Sequence, residues 1–175
     1  ELDLLIVGTI SSHMIMPSTA CFVQNEIGAS KAFAYDVNAA CSGFLYGLDI
    51  ADKHIRADAG AKVLVIGAET LSSRLNWQDR NTCILFGDGA GAVVLKRSDD
   101  DSGILSTHLH SEGKHAEELC LIGPATNRWV DKIMAANDPE DISYYPYMNG
   151  NFVFKHAVTR FAEVINEALQ QNNAQ

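Results

Sequence analysis

The sequence has no apolar run approaching the roughly 18 residues that a membrane span requires. Its opening Glu-Leu-Asp-Leu-Leu-Ile-Val also lacks the basic start and small-residue cleavage site of a secretory signal. None of the four cysteines, Cys21, Cys41, Cys83 and Cys120, forms a CxxC pair, so neither zinc-site nor small-disulfide spacing is present. Reduced thiols are expected, three buried and one reactive. Basic charge is scarce: 13 Lys and Arg stand against 22 Asp and Glu, a formal net charge of -9. That balance argues against general nucleic-acid binding and against docking on an anionic membrane, so an acidic partner has to meet a local basic patch. No solenoid repeat or low-complexity tract interrupts the chain. What remains is a soluble, cytoplasmic protein of 175 residues, 47% hydrophobic and 20% charged, long enough for a sizeable core.

The apolar patterning reads as α/β. Leu4 to Gly8 is a short continuous apolar run, as expected of a strand covered on both faces in a parallel sheet. Pro17-Ser18 opens a helix that Gly28 stops, and Ala32 to Val37 is the next strand. From Ala40 to about Ala59, Phe44, Leu48, Ala51 and Ile55 fall on one helical face, with Gly60 as the stop. Lys62 to Ala68 is again a strand, and this alternation predicts right-handed βαβ crossovers. Phe86 to Ala92 reads as a glycine-rich turn feeding a strand at Val93-Val94-Leu95. After a solvated turn at Asp99 to Asp101, alternation from Gly103 to Leu109 suggests a hairpin partner that places His108 and His110 on one face. Lys114 to Gly150 holds three of the four prolines and no sustained periodicity, so a long excursion is expected. Phe154, Val158, Phe161, Ile165 and Ala168 form a second helical stripe running to about Gln170, with frayed residues beyond.

The chemistry concentrates at Asp36-Val37-Asn38-Ala39-Ala40-Cys41-Ser42-Gly43-Phe44, where a strand ends and a helix begins with a cysteine in its first turn. Free amides and the helix dipole favour an anion at such a place, so a thiolate there would be stabilised and a nucleophile activated. Ala39, Ala40, Ser42 and Gly43 are small enough to let a substrate carbonyl approach. The same pattern also fits a small buried cysteine packed against the sheet. The alternating Gly87, Gly89 and Gly91 are no nucleotide fingerprint, because a β-branched run follows them instead of a helix. His108 and His110 lack a third ligand, so no metal is expected.

Asp-Val-Asn-Ala-Ala-Cys-Ser-Gly-Phe, with Phe-Gly-Asp-Gly-Ala-Gly-Ala at 86 to 92, closely resembles the β-ketoacyl-acyl-carrier-protein synthase III family of the thiolase-like superfamily. The similarity continues through Ser-Thr-His-Leu-His-Ser at 106 to 111 and Asn-Gly-Asn-Phe-Val-Phe-Lys at 149 to 155. The resemblance implies a thiolase-like layered fold, here incomplete at both ends: most of a first half at 1–112, the excursion at 113–150 and the start of a second half at 151–175. It implies acyl transfer from acyl-coenzyme A to Cys41, then decarboxylative condensation with malonyl-acyl-carrier protein in a homodimer, with no cofactor beyond the thioester substrate. Covalent storage on sulfur splits one difficult step into two.

By the same resemblance Arg80 stacks on the coenzyme A adenine, although alone it reads as a solvated loop arginine. Phe86, Met148, Gly150 and Phe154 line the acyl pocket, although such apolar residues are usually plain core. Lys155 and Arg160 form a carrier-protein patch or merely a solvated helix face. Met16 stands where family members often carry a Phe that crosses the dimer. The family also uses a histidine and an asparagine as donors in condensation, and none of His13, His54, His108, His110, His115 and His156 lies in the matching motif. A fragment unable to condense is therefore expected. The alternatives are a related condensing enzyme serving quinolone, polyketide or 3-hydroxy-3-methylglutaryl pathways, and a non-catalytic dimerisation module.

Overall fold

The computed structural model describes residues 1–100, 102–123 and 145–174, in two compact units. The first comprises Glu1–Thr70 with Asp88–Leu109, the second Leu71–Gly87 with His110–Gln175. In the first unit β1 (Leu4–Gly8), α1 (Thr19–Glu26), β2 (Phe33–Val37), α2 (Gly43–Ala57), β3 (Lys62–Thr70) and β4 (Asp88–Lys96) follow in order. They build one sheet in the order β2-β1-β3-β4. Strand β1 pairs in parallel with β2, Leu4 opposite Phe33, and with β3, Leu4 opposite Val63, while β4 is antiparallel to β3.

Because side chains alternate across a strand, the continuous run at Leu4 to Val7 feeds two cores. Leu4 and Ile6 join Val63, Val65 and Ala51, with Phe44, Leu48 and Ile55 of α2 packed against them. Leu5 and Val7 meet Ala20 of α1 on the opposite face. The sheet is thus covered by a helix on each side, as the doubly apolar strand predicts. Glycines set how closely α2 approaches: a Cβ on Gly8 would lie 2.5 Å from the Gly43 carbonyl carbon, and one on Gly47 2.7 Å from Val65 Cγ1.

Several sequence expectations are corrected. Helix α2 ends at Ala57, before Gly60, because the Asp58 carboxylate accepts from Gly60 N at 3.0 Å and turns the chain away. The residues before α2 form a separate 3-10 turn, Ala40–Ser42, because Ala40 adopts φ 45. The glycine-rich segment is strand, not turn: β4 begins at Asp88, and neither Gly89 nor Gly91 has a positive φ. Gly103 to Leu109 forms no strand, so the expected hairpin is absent among the described residues. His108 and His110 accordingly share no strand face; they bond Ser106 and Glu167 respectively. None of the cysteines is buried: Cys21 and Cys41 are exposed, Cys83 and Cys120 intermediate.

The second unit holds a short helix α3 (Arg80–Cys83), a two-stranded ribbon of β5 (Leu119–Cys120) with β6 (Tyr147–Met148), and the long helix α4 (Gly150–Gln171). Most of the expected excursion, at 124–144, lies outside the described residues, as do Asp101 and Gln175. Asn149 starts α4 by accepting from Phe152 N, and its own N donates to Glu118 O at 2.8 Å, which joins helix to ribbon. No helix among the described residues is long and apolar enough to cross a membrane.

Candidate active site

Cys41 stands at the carboxyl edge of the parallel strands, where open α/β sheets place their ligand sites. Three features hold it there. Strand β2 ends at Val37 and delivers the turn; Ala40 takes a left-handed conformation directly before the thiol; and α2 then starts with its backbone against Gly8. A left-handed alanine costs on the order of 1–2 kcal/mol, so the fold pays to present the next residue outward. Gly43 is buried against Gly8 and serves that packing, whereas the sequence reading gave it to substrate access. Cys41 is exposed, unlike the buried cysteine of the alternative reading.

The edge around Cys41 is braced by two carboxylates the sequence reading did not single out. Asp36 in β2 accepts from Thr19 N at 2.7 Å and Ala20 N at 2.8 Å, capping α1 where the Ser18 side chain makes no cap. Glu69 at the end of β3 accepts from Ile10 N at 2.9 Å, Ser11 N at 3.1 Å and Ser11 Oγ at 2.5 Å, which fixes the loop after β1. An acidic residue closing an apolar strand was the available signal for both.

The remaining predicted residues fall in the second unit. Arg80 is exposed at the first position of α3, which Asp79 caps through Asn81 N at 3.0 Å. The Thr82 hydroxyl, 2.7 Å away, and then the Asn81 amide hold the Asp79 carboxyl below its usual range. Trp77, three residues before Arg80, is 66% exposed and went unnoticed in the sequence. Phe86 is half-buried, Met148 pairs with Leu119 across the ribbon, and a Cβ on Gly150 would touch Met148 Cε at 3.7 Å. Phe154 is 70% exposed. On α4, Lys155 is exposed, whereas Arg160 is tied to Glu112 and Glu163.

A groove of about 640 Å³ opens elsewhere, lined by Ile55 and Arg56 of α2 and by Lys96, Arg97 and Ile104; Cys41 is not part of it. Nor is any histidine bonded to Cys41 among the described residues. His13 packs on Phe22, His54 on Phe33, and His115 and His156 on each other.

Comparison with known proteins agrees with the motifs. Residues 35–113 match the family described as 3-oxoacyl-[acyl-carrier-protein (ACP)] synthase III. The β-ketoacyl-[acyl-carrier-protein] synthase III of Desulfotalea psychrophila is 47% identical over 171 residues, 98% of this chain and 51% of the relative. Its Xylella fastidiosa counterpart is 46% identical over 175 residues, 99% of this chain and 51% of the relative. The crystal structure of 3-oxoacyl-[acyl-carrier-protein] synthase III from Aquifex aeolicus superposes with a TM-score of 0.85 at 43% identity, covering 99% of this chain and 50% of that one. The chain therefore spans about half the length of the curated relatives it matches. A cysteine motif on a strand-to-helix turn, a glycine-rich strand following in order, and a shared thiolase-like fold place this chain in the β-ketoacyl-acyl-carrier-protein synthase III family.

Proposed function

We propose that this chain carries the acyl-accepting part of a β-ketoacyl-acyl-carrier-protein synthase III. The observation that carries the reading is the exposed Cys41 thiol behind the left-handed Ala40. The Cys41 thiolate attacks the acyl carbonyl of acyl-coenzyme A, the carbon–sulfur bond to coenzyme A breaks, and coenzyme A leaves as its thiolate. In the intact enzyme, malonyl-acyl-carrier protein then loses carbon dioxide, and the resulting carbanion attacks the acyl-Cys41 carbonyl and frees the thiolate.

Exposed Arg80 and Trp77 offer flat groups to an adenine, and Phe86, Met148, Gly150 and Phe154 supply apolar lining for the acyl group. Lys155 offers carrier-protein contact more directly than Arg160, whose charge is already offset by Glu112 and Glu163. Met16, 81% exposed, supports a homodimer contact, and such an enzyme acts in the cytoplasm. No histidine of the chain lies in the family's donor motif and none bonds Cys41 among the described residues, so the chain by itself accepts an acyl group and condenses poorly. Intact-mass measurement after incubation with acetyl-coenzyme A tests this. One acetyl adduct, lost in Cys41→Ala, is expected; a folded chain that takes up no acetyl group refutes it.

A further inference from the structure

The second unit gathers a group of metal-ligating side chains that the proposed chemistry does not use. Glu112 and His115 stand at either end of the 3-10 turn Gly113–His115, and His156 lies two turns into α4. Their ligand atoms all lie within 4.8 Å of one another. His156 Nε2 is 2.7 Å from Glu112 Oε2, and His115 Nε2 is 3.8 Å from the same oxygen. A tetrahedral zinc with bonds of 2.0–2.1 Å sets its ligands about 3.3 Å apart, a spacing that falls between those two edges. Rotations that move the ligand atoms by about 1 Å would complete the set.

The surroundings are those of a built site. Phe152 stacks on His156 with ring centroids 5.3 Å apart and lies 4.7 Å from His115, which fixes both imidazoles from one side. Arg160 occupies Glu112 Oε1 and is itself offset by Glu163, so Oε2 remains to coordinate. Partial desolvation pushes the Glu112 carboxyl up, but the His156 hydrogen bond and the charges of Arg160 and Lys114 outweigh it, and the carboxyl stays below its usual range. The three residues are half-buried, which leaves room for a water as fourth ligand.

We propose that Glu112, His115 and His156 form a divalent transition-metal site of the zinc class. Two imidazole nitrogens and one carboxylate oxygen select such an ion over magnesium or calcium, which take oxygen ligands. Each histidine coordinates as a neutral imidazole through the lone pair of one nitrogen while the other keeps its hydrogen, and any proton held by an imidazolium passes to solvent. Bound there, it clips the segment at 112–115 to α4, two stretches 41 residues apart between His115 and His156. The site is independent of acylation at Cys41, so a failed acetylation experiment leaves it standing.

The test is titration of the metal-free chain with Co²⁺ and then Zn²⁺, followed by visible absorption and thermal unfolding. One Co²⁺ per chain, with d–d bands and without a thiolate-to-cobalt charge-transfer band, is expected; Zn²⁺ should displace it and raise the unfolding temperature. His156→Ala and His115→Asn should each weaken binding on the order of tenfold or more, whereas His54→Ala should not. If His156→Ala fails to fold, His115→Asn and Glu112→Gln decide. Absence of saturable binding, a sulfur charge-transfer band, or affinity unchanged in both folded variants would overturn the proposal.

Discussion

Helices α2 and α4 both space apolar side chains at intervals of three and four, yet Phe44, Leu48, Ala51 and Ile55 of α2 pack on the sheet while Phe154, Val158, Phe161 and Ile165 of α4 are 57–71% exposed. Periodicity thus reports that a face is apolar but not what covers it. The difference lies in the partner. Helix α2 lies on a sheet whose Gly8 and Gly67 leave room for its backbone and for Phe44, and its own Gly43 and Gly47 bring it closer. No residue of α4 is buried. Its anchoring comes instead from polar groups: the Asn149 cap and the Glu112 contacts of His156 and Arg160.

The widest separation should come from truncating one residue type in both environments. Ile6→Ala, at a fully buried site, should cost about 2–5 kcal/mol in urea unfolding, whereas Ile165→Ala, 57% exposed, should stay within about 0.5 kcal/mol. Equal losses would mean that α4 is packed in solution. Next in size, Gly8→Ala should cost about 1–3 kcal/mol, because its methyl meets Gly43 backbone and not a flexible side-chain end. The same substitution should change the alkylation rate of Cys41, and an unchanged rate would show that the turn does not depend on this contact. Ala40→Gly acts in the opposite direction. Relief of the positive φ, less the entropy glycine adds to the unfolded chain, should stabilise by about 0.5–1 kcal/mol.

The smallest effect lies after β4. Ser102, then Ser98, hold the Asp100 carboxyl at about 2 instead of 3.8. A depressed folded value means the contribution is complete above 3.8 and is lost as pH falls from there toward about 2. Asp100→Asn should flatten that stretch of the acid unfolding curve. An unaltered curve would place the acid sensitivity at Glu112 or Asp49 instead, both also held below their usual range.

Elements whose partners are close in sequence were legible to within a few residues: β1, β2 and α2 follow from local apolar runs and stop signals. The strand assigned to Gly103 to Leu109 failed because alternation needs a neighbour to pair with, and none is present among the described residues. Glycines in β4 read as a turn because glycine tolerates turns, whereas pairing with β3 through Gly67–Gly91 and Glu69–Gly89 holds them extended. Cys41 and its motif were readable, but the left-handed Ala40 was not, since nothing local demands it.

By itself the sequence determined the α/β alternation, the doubly apolar first strand and the identity of the thiol-bearing turn, because these depend on short-range periodicity and residue chemistry. Only the tertiary structure decided that Glu69 ties down the loop after β1, that the apolar stripe of α4 is exposed, and that His156 meets Glu112 and His115. Those pairings join residues 41 or more positions apart, and spacing along a chain carries no information about which distant side chains its folding brings into contact.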